Sequence, residues 1–304
     1  MFNQLGIIGC GLMGGSFGLA LKRAGMVKRV VGYSKSPSTT EKAKRLGVID
    51  VAVESALQAV AGSDIVLIAV PVSATENIFK AIAQLVEPHV LVMDVGSTKV
   101  DVVDAARRTL KDRVSSFVPA HPIAGREVAG VANADPSLYV DRRVILTPLA
   151  ENPPELLSKA EAAWTAVGAR VSETTASRHD AALAAVSHLP HLIAFAFLNG
   201  LTQQSDANEL LAMAGPGFRD FTRIGASDPS VWRDILLSNR AELAKQLQQF
   251  RLALDQIDAK MMAGDGGSLE NLIRDASRAR SDWRLEPETT SGSLDPLPAE
   301  KRKT

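Results

Sequence analysis

Three glycines near the start of the chain have the spacing of a phosphate-binding loop. Gly9, Gly11 and Gly14 form a G-x-G-x-x-G pattern, with Leu12 and Met13 between the second and third glycines. In such a loop the first glycine permits a tight turn, the second lets the backbone approach a pyrophosphate, and the third lets a helix pack closely on a strand. The following helix N-terminus adds amide donors for the phosphates. The pattern predicts dinucleotide binding, with a glycine-rich turn in another doubly wound fold as the alternative.

The residues after the second predicted strand bear on which dinucleotide binds. Folds that select NAD carry an acid about twenty residues beyond the glycines, where it holds the ribose hydroxyls. Here the position is Ser34, followed by Lys35 and Ser36. Two hydroxyls and a cation favour a 2′-phosphate, so we expect NADP as the preferred cofactor, with NAD also possible. In the alternative interpretation Lys35 is a solvated loop lysine, and the missing acid makes the site tolerant of both cofactors.

His121 stands where the edge of a sheet would place a ligand-binding group. It follows residues 117–120, the end of a predicted strand, and open α/β sheets bind ligands beyond the carboxyl ends of their strands. Pro122 and Gly125 constrain the backbone around it in an unusual way. We therefore interpret His121 as a functional residue, against the alternative of a structural histidine.

Three further histidines lie on one apolar helical segment. His179 and Asp180 begin this segment, and His188 and His191 follow about two turns later. At about 100° per residue Asp180 and His191 share one face, with His188 about 80° away. His188 and His191 could together bind a metal, but no second acidic or thiol ligand stands at a usable spacing, so we expect no metal. Pro190 predicts a kink near His191 that opens room for a ligand.

Short apolar runs alternate with helix-like stretches over the first half of the chain, as in βα units that form a parallel sheet. The predicted strands occupy residues 5–8, 29–33, 65–70, 90–94, 116–120 and 144–147. Ser38 and Glu41 have the spacing of a capping box for a helix that Gly47 ends. Further helices are predicted over residues 75–85 and 100–110, and a last helix and strand over about 153–171.

Strand patterns end near residue 174, and the composition becomes rich in Ala, Leu and Gln, with a long helical pattern over residues 241–261. We therefore predict an α/β protein with an N-terminal Rossmann-like, doubly wound parallel sheet in residues 1–174. An all-α C-terminal domain is predicted in residues 175–285, and a disordered tail in residues 286–304. The apolar run 181–207 resembles a membrane span in composition, but its internal polar residues favour a helix buried in a soluble protein or a dimer.

Composition excludes several classes of function. The 304 residues include 34 Lys and Arg against 34 Asp and Glu, so the formal charge is zero and gives no electrostatic basis for binding nucleic acid or an anionic membrane. Cys10 is the only cysteine, which excludes an intrachain disulfide and a thiolate metal cluster. The start of the chain lacks the pattern of a signal peptide. We expect a cytoplasmic protein.

Four motifs, taken together, resemble the prephenate/arogenate dehydrogenase family of tyrosine biosynthesis. They are Asp-Val-Gly-Ser-Thr-Lys at 94–99, His-Pro-Ile-Ala-Gly at 121–125, Ser-His-Leu-Pro-His at 187–191 and Gly-Phe-Arg-Asp-Phe-Thr-Arg-Ile at 217–224. The resemblance runs from Gly9 to about Asp234 and includes Val70 and Pro71, which correspond to the loop beside the adenosine of the cofactor. Members of this family oxidatively decarboxylate a cyclohexadiene: a hydride passes to the nicotinamide, carbon dioxide leaves, and the ring becomes a phenol.

The resemblance implies a role for each of several polar residues. His121 would deprotonate the 4-hydroxyl of the substrate, work that suits an imidazole with a pKa near neutrality. Ser97 would hydrogen-bond the same hydroxyl, and it could equally cap the next helix. Arg223 would bind a substrate carboxylate through its guanidinium fork, and we prefer it to Arg219 for this role.

The helical segment would form the other side of the pocket. By resemblance His191 lies near the substrate, Asp180 belongs to an orienting network, and His188 stands behind them or packs as a core histidine. Trp232 corresponds to a family tryptophan near the cleft, although a packing role is equally compatible with its type. The helical domain would also be a dimerisation domain, so the expected partners are a small-molecule substrate and a second copy of the chain.

Arg126 departs from the family pattern, because threonine or serine is common at this position. Glu127 beside it keeps the acid of the family and is expected to contribute to substrate binding. Arg126 could favour a more negatively charged substrate, or it could pair with Glu127 and leave selectivity unchanged. The choice between prephenate, with its keto-acid side chain, and arogenate, with its amino-acid side chain, therefore stays open.

Two alternatives belong to other functional classes. A β-hydroxyacid or imine-reducing dehydrogenase also combines a Rossmann domain with helices, but usually relies on a lysine or acid in the helical domain. A catalytically silent dinucleotide-binding regulator would bind cofactor without turnover. The joint presence of His121, Ser97 and Arg223 argues against the regulator.

Overall fold

The computed structural model describes residues 1–126 and 128–284 of the chain. A six-stranded, all-parallel sheet in the order β3-β2-β1-β4-β5-β6 forms the centre of the first half. Its strands are β1 (Phe2–Ile8), β2 (Val27–Tyr33), β3 (Val51–Ala52), β4 (Ile65–Ile68), β5 (Leu91–Asp94) and β6 (Phe117–Val118). This order is that of a doubly wound dinucleotide-binding fold, in which ligands bind where the order reverses, beside β1 and β4. The predicted fold class is confirmed.

Helices cover both faces of this sheet, which is why its strands are apolar on both sides. The helices are α1 (Leu12–Arg23), α2 (Pro37–Arg45), α3 (Ala56–Val60), α4 (Val72–Ile82), α5 (Val100–Leu110) and α6 (Pro154–Ala166). On one face Phe17 of α1 packs on Trp164 of α6, with ring centroids 4.6 Å apart. On the other face Phe79 of α4 packs on Phe117, with centroids 4.9 Å apart.

A second sheet, which the sequence did not predict, carries His121. Strands β7 (Ala120–Pro122), β8 (Arg143–Leu146) and β9 (Arg170–Glu173) form it, with β7 and β8 antiparallel and β8 and β9 parallel. The predicted strand 116–120 is therefore wrong, because it divides at Pro119 between the two sheets. Proline has no N–H for a ladder hydrogen bond. The predicted strand 144–147 also belongs to the second sheet, and not to the parallel one.

Helix boundaries agree with the sequence patterns best where no proline competes. The predicted helix 100–110 is confirmed as α5, and Gly47 follows the end of α2 with a φ of 70°. The capping box at Ser38 is wrong. Helix α2 begins at Pro37, with Ser36 as its N-cap residue, because proline suits the first turn, where its missing N–H costs nothing.

The second half of the chain is helical. After the N-cap Thr175 come α7 (Ala176–Leu183), α8 (Leu189–Thr202), α9 (Ala207–Ala212), α10 (Pro216–Thr222), α11 (Pro229–Ser238), α12 (Arg240–Met262) and α13 (Gly266–Asp282). Residues Ala184–His188 join α7 to α8 as a turn of π-helix. A π-turn contains one residue more than an α-helical turn, so α8 is rotated relative to a regular continuation of α7.

One continuous helical run, Ala176–Thr202, is long and apolar enough to cross a membrane by length and composition alone. Only 22% of its most apolar window is buried within this chain. The predicted disordered tail, residues 286–304, lies outside the described residues, as does Glu127.

Candidate active site

The glycine loop has the shape that its spacing predicts. Gly9 has a φ of 100°, and a Cβ atom there would lie 2.2 Å from the carbonyl oxygen of Ala69. A Cβ at Gly14 would lie 2.2 Å from the carbonyl oxygen of Gly9, whereas a Cβ at Gly11 would meet nothing within 4 Å. Gly11 therefore faces open space at the start of α1, where no side chain caps the helix. This cradle fits the pyrophosphate of a dinucleotide.

The two residues inside the motif contribute backbone and packing. Leu12 is buried in the apolar cluster beneath the loop, and Met13 packs partly against the same cluster. The hydroxyl of Tyr139 donates to the carbonyl oxygen of Met13 at 2.7 Å and so fixes the first turn of α1. Leu12 and Met13 lie in the first turn of α1, whose N–H groups have no acceptor within the helix.

The residues predicted to bind the adenosine half surround this loop. Ser34 lies next to it and accepts a hydrogen bond from the N–H of Cys10 at 2.9 Å. Ser36 is the N-cap residue of α2, although its side chain makes no capping hydrogen bond. Lys35, between Ser34 and Ser36, is exposed, with no ion pair in the described part of the chain. On the other side Val70 lies 3.2 Å from the position of a Cβ on Gly9, directly before Pro71, the N-cap residue of α4.

The loop after β5 places Ser97 shortly before the start of α5, and Ser97 is half-buried there. Ser97 does not cap this helix, as the alternative interpretation would require. The N-cap residue is Lys99, and the carboxylate of Asp180 accepts the N–H groups of Lys99 at 2.8 Å and Val100 at 2.9 Å. A side chain from the helical half thus caps a helix of the sheet-containing half, which leaves the Ser97 hydroxyl available for other contacts.

A buried ion pair fixes the backbone beside His121. The Lys99 ammonium donates to the Asp94 carboxylate and, at 2.9 Å, to the carbonyl oxygen of Ala120, and both charged side chains are almost fully buried. Asp94 also accepts the N–H groups of Gly96 at 2.9 Å and Ala120 at 3.0 Å. A charge pair removed from water needs such complete hydrogen bonding. These bonds hold the residue before His121 against the end of β5.

His121 is the outer member of a hydrogen-bonded row of three side chains. Its Nδ1 lies 2.8 Å from His179 Nε2, and His179 Nδ1 lies 2.7 Å from Asp180 Oδ1. The Asp180 carboxylate already accepts the two N–H groups of α5, so it acts as an acceptor toward His179 as well. His179 then carries its hydrogen on Nδ1 and accepts through Nε2, and His121 donates through Nδ1. This order leaves a lone pair on His121 Nε2, which contacts no other described polar group.

The surroundings of His121 keep it neutral and place its pKa below the near-neutral value that the resemblance suggested. Burial lowers the pKa of its imidazole well below the usual value, and the charges of His179 and Lys99 lower the pKa further. A neutral imidazole with its lone pair on Nε2 can accept a proton from a substrate hydroxyl. The row His121–His179–Asp180 therefore has the properties of a positioned general base.

The π-turn changes which histidine faces Asp180. The amide of Asn239 donates to the carbonyl oxygen of Asp180 at 2.8 Å and lies 3.1 Å from Nδ1 of buried His188. One extra residue rotates the helix by about 100°, which brings His188 to the side of Asp180. The expected common face of Asp180 and His191 is therefore wrong. Burial lowers the pKa of His188 to about 4, although the charge of Asp180 opposes this shift.

His191 is stacked on Trp232, which also lies edge-on to His188 with ring centroids 6.1 Å apart. The ring centroids of His191 and Trp232 are 3.6 Å apart with an interplanar angle of 19°, and His191 Nδ1 donates to the carbonyl oxygen of Ser187 at 2.9 Å. Burial lowers the pKa of half-buried His191, and the nearby charge of exposed Arg223 lowers it further. The structure thus brings Arg223, His191 and Trp232 together. Arg219 is exposed and points to Asp220, with the two side chains 3.4 Å apart.

Arg126 forms an ion pair with Asp135. Two hydrogen bonds from Ser137, and then the Arg126 side chain, lower the pKa of this carboxylate to about 2. Pairing with Glu127 was one of the two alternatives that the sequence left open, and that residue lies outside the described parts of the chain. The cation at this position is therefore neutralised by Asp135. Among residues 1–126 and 128–284 no group of three or more His, Cys, Asp or Glu side chains could hold a metal ion.

Comparisons with known proteins match both halves of the chain. The model for the nucleotide-binding domain of prephenate dehydrogenase matches residues 17–173, and the model for the dimerization domain of prephenate dehydrogenase matches residues 175–275. The chain belongs to the prephenate dehydrogenase family. It is 32% identical to the cyclohexadienyl dehydrogenase of Zymomonas mobilis over 92% of this chain and 96% of that protein.

Solved structures of this family have the same fold. The prephenate dehydrogenase of Aquifex aeolicus, in complex with hydroxyphenyl propionate and NAD+, superposes with a TM-score of 0.86 at 34% identity, covering 93% of this chain and 98% of that one. The arogenate dehydrogenase of Synechocystis gives a TM-score of 0.79 at 26% identity, covering 91% and 99%. The present member of the family is accordingly an oxidoreductase with a nicotinamide cofactor.

The sequence patterns did not identify three sets of residues that position the side chains of this candidate active site. His179 was placed only at the start of a helix, although its position next to Asp180 was a usable signal. Lys99 and Asp94 were quoted only as parts of a motif. Asn239 gave no signal, because its contacts join segments 51 and 59 residues apart in the sequence.

Proposed function

We propose that this chain catalyses the oxidative decarboxylation of prephenate to 4-hydroxyphenylpyruvate, of arogenate to tyrosine, or of both. The observation that carries the proposal is the row His121–His179–Asp180, which offers a lone pair at a buried Nε2. The names of the relatives, which include cyclohexadienyl, prephenate and arogenate dehydrogenases, support the same substrate class.

In the proposed reaction His121 accepts the proton of the 4-hydroxyl, and Ser97 hydrogen-bonds the same oxygen. A bound nicotinamide supplies the hydride acceptor. His179 and Asp180 hold the imidazole of His121 in the tautomer that accepts a proton. Since loss of carbon dioxide makes the ring aromatic, the protein mainly has to orient the substrate and to take up this proton.

The helical wall is proposed to bind the rest of the substrate. Arg223 is the candidate for a carboxylate of the substrate, because its guanidinium lies close enough to His191 to affect the pKa of that imidazole. His191 would contact the substrate, with His188 behind it. Glu127 is retained as a proposed contact to the side chain of the substrate, on the strength of the family pattern alone.

NADP is proposed as the preferred cofactor. Ser34, exposed Lys35 and Ser36 lie beside the glycine loop, and no carboxylate occupies the position of Ser34. A cation and hydroxyl groups favour a 2′-phosphate over a bare ribose hydroxyl.

The proposed assembly is a cytoplasmic homodimer of two-domain chains, with domains at 1–174 and 175–285. Helices α12 and α13 support the dimer, because they carry exposed apolar side chains that a second copy could cover. These side chains are Leu252, Leu254, Ile257, Met261, Met262 and Ile273. An apolar surface of this kind usually marks an interface.

The first experiment measures initial rates of cofactor reduction with prephenate and with L-arogenate, each with NADP and with NAD. Turnover with at least one substrate is expected, faster with NADP than with NAD. His121→Asn should abolish turnover while NADP still binds in a titration. Folded chain that binds NADP without any turnover would refute the proposal in favour of a silent regulator or another dehydrogenase class.

A further inference from the structure

A hydrogen bond joins the two halves of the chain beside the loop proposed to hold the adenosine. The hydroxyl of Ser73 donates to Oδ2 of Asp234, and the two residues are 161 positions apart. Ser73 lies in the first turn of α4, two residues beyond Pro71. Asp234 lies on α11. The bond therefore connects the start of a sheet-flanking helix to a helix of the second half.

Hydrogen bonds fix both oxygens of the Asp234 carboxylate. It is 8% exposed, and its other oxygen, Oδ1, accepts Nε and Nη2 of Arg233 at 2.8 and 2.6 Å. Its carboxylate reaches the first turn of α4, where the N-cap residue Pro71 offers no side-chain acceptor. A negative charge is favourable at that end of a helix. The contact thus combines a hydrogen bond with a helix-terminus interaction.

The same helix carries part of the proposed substrate wall. Trp232, two residues before Asp234, stacks on His191 at 3.6 Å. A short connection therefore runs from the loop at Pro71 to His191. It follows α4 to Ser73, crosses the hydrogen bond to Asp234, follows α11 to Trp232 and ends at the stacked His191.

A second contact between the halves lies elsewhere on the cleft, where Asp180 of α7 caps α5. A single contact would leave the halves free to rotate about it. The halves also meet at the His121–His179 hydrogen bond. The contacts of α5 with α7 and of α4 with α11 lie on different helix pairs and, together with that bond, restrict the rotation. The distance between the glycine loop and the wall at His191 is fixed as a result.

We propose that Ser73 and Asp234 are positioning residues for hydride transfer, which hold the cofactor loop at a set distance from the substrate wall. This inference rests on the proposed function. Ser73 needs no contact with substrate or cofactor for this role. Hydride transfer is sensitive to such a contact, because a displacement of about 1 Å between reacting atoms can reduce the rate about 100-fold.

The test compares Ser73→Ala with wild type in the full-length chain. Loss of the Ser73–Asp234 bond should partly loosen the contact between α4 and α11 and lower kcat about tenfold, a barrier increase of about 1.4 kcal/mol. KM for substrate and for cofactor should stay within about twofold. Ser73 is exposed, and Asp234 keeps its two Arg233 hydrogen bonds when Oδ2 loses its donor, so the midpoint of thermal unfolding should fall by no more than about 4 °C. Ser73→Thr keeps the hydroxyl and should restore kcat. Asn77→Ala, an exposed position on the same helix, is the matched control and should behave as wild type.

Asp234→Asn and the double variant test whether the two side chains act through their shared hydrogen bond or each through its own local contacts. If the two side chains act through one bond, the double variant should lose no more kcat than the worse single variant. Hydrogen exchange of the cofactor-free chain gives a readout that needs no turnover. Amides in the first turn of α4 and in α11 should exchange faster in Ser73→Ala, and at the wild-type rate in Asn77→Ala.

Wild-type turnover with an unchanged kcat in Ser73→Ala would overturn this inference and leave the proposed function intact. Additive losses in the double variant, or unchanged hydrogen exchange, would overturn it as well. Absence of turnover by the wild-type chain would instead refute the proposed function, and this inference with it.

Discussion

Replacing Asp180 by asparagine tests the row of side chains behind His121. The carboxylate accepts three hydrogen bonds: Oδ1 from His179 at 2.7 Å and Lys99 at 2.8 Å, and Oδ2 from Val100 at 2.9 Å. Asparagine keeps one oxygen and replaces the other with an N–H donor. One or more of the three donors must therefore lose its acceptor.

Both orientations of the new amide have a cost. With the oxygen toward His179, the NH2 group opposes the N–H of Val100 and leaves a buried donor unpaired, which costs about 1–3 kcal/mol of stability. With the NH2 group toward His179, the new amide opposes the N–H of Lys99, which loses its acceptor, and the His179 imidazole changes tautomer to accept. His121 must then also accept through Nδ1, so its Nε2 carries the hydrogen and can no longer take up a proton.

We expect kcat to fall about 100-fold, within the range of about 10²–10⁴ that a positioned general base contributes. The free energy of unfolding should fall by about 1–3 kcal/mol. Initial rates at saturating substrate and cofactor, together with denaturant titrations, measure the two quantities. Asp101→Asn is the matched control, since that acid lies in the first turn of α5 and its Oδ1 has no hydrogen bond. A kcat for Asp180→Asn within about threefold of wild type would refute the reasoning.

Other changes test the remaining parts of the site. Burial lowers the pKa of His188 to about 4 in the folded chain, so between pH 6.5 and pH 4 the unfolded chain binds a proton that the folded chain does not. The free energy of unfolding is therefore at its full value above pH 6.5 and falls as the pH is lowered toward 4. His188 should contribute about 3 kcal/mol to the loss of stability that denaturant titrations show across this window, and a flat profile would contradict the burial argument. Arg223→Ala should raise KM for the substrate about 10- to 100-fold with little change in kcat. Arg219→Ala is its control, and equal effects of the two would reject the assignment. Lys35→Ala should weaken NADP binding about tenfold in a titration and leave NAD binding unchanged, whereas an equal loss for both would remove Lys35 from the 2′-phosphate site.

Local sequence patterns predicted those features of the fold that local physics determines. The glycine loop, α5 and the alternation of strands and helices follow from side-chain size, periodicity and turn chemistry within a few residues. The second sheet could not be predicted in this way, because β7 depends on pairing with β8 more than twenty residues away. Pro119, which separates β6 from β7, was the one local sign of this division.

The candidate site was predictable in its membership more than in its connections. His121 and Asp180 were singled out by their positions in the predicted elements, Ser97 and Arg223 came from motif resemblance, and the roles of all four stay predictions. The link through His179 was not predicted: its position next to Asp180 was the local signal, and residue spacing does not say which of the two side chains turns toward a distant strand. The π-turn also reverses which histidine faces Asp180, and a regular helical wheel cannot represent an extra residue.

That π-turn has a consequence for how the pocket could diverge among relatives. Val186 lies within it and is highly exposed. Deleting this one residue would convert the segment into a regular α-helix without removing a core side chain. His188 and His191 would then both rotate by about 100°, which turns His191 toward Asp180 and His188 away from it. Loss or gain of a single codon at this position can therefore turn a different histidine toward the site while the surrounding fold is retained. This is a larger change in the chemistry of the pocket than most point substitutions provide.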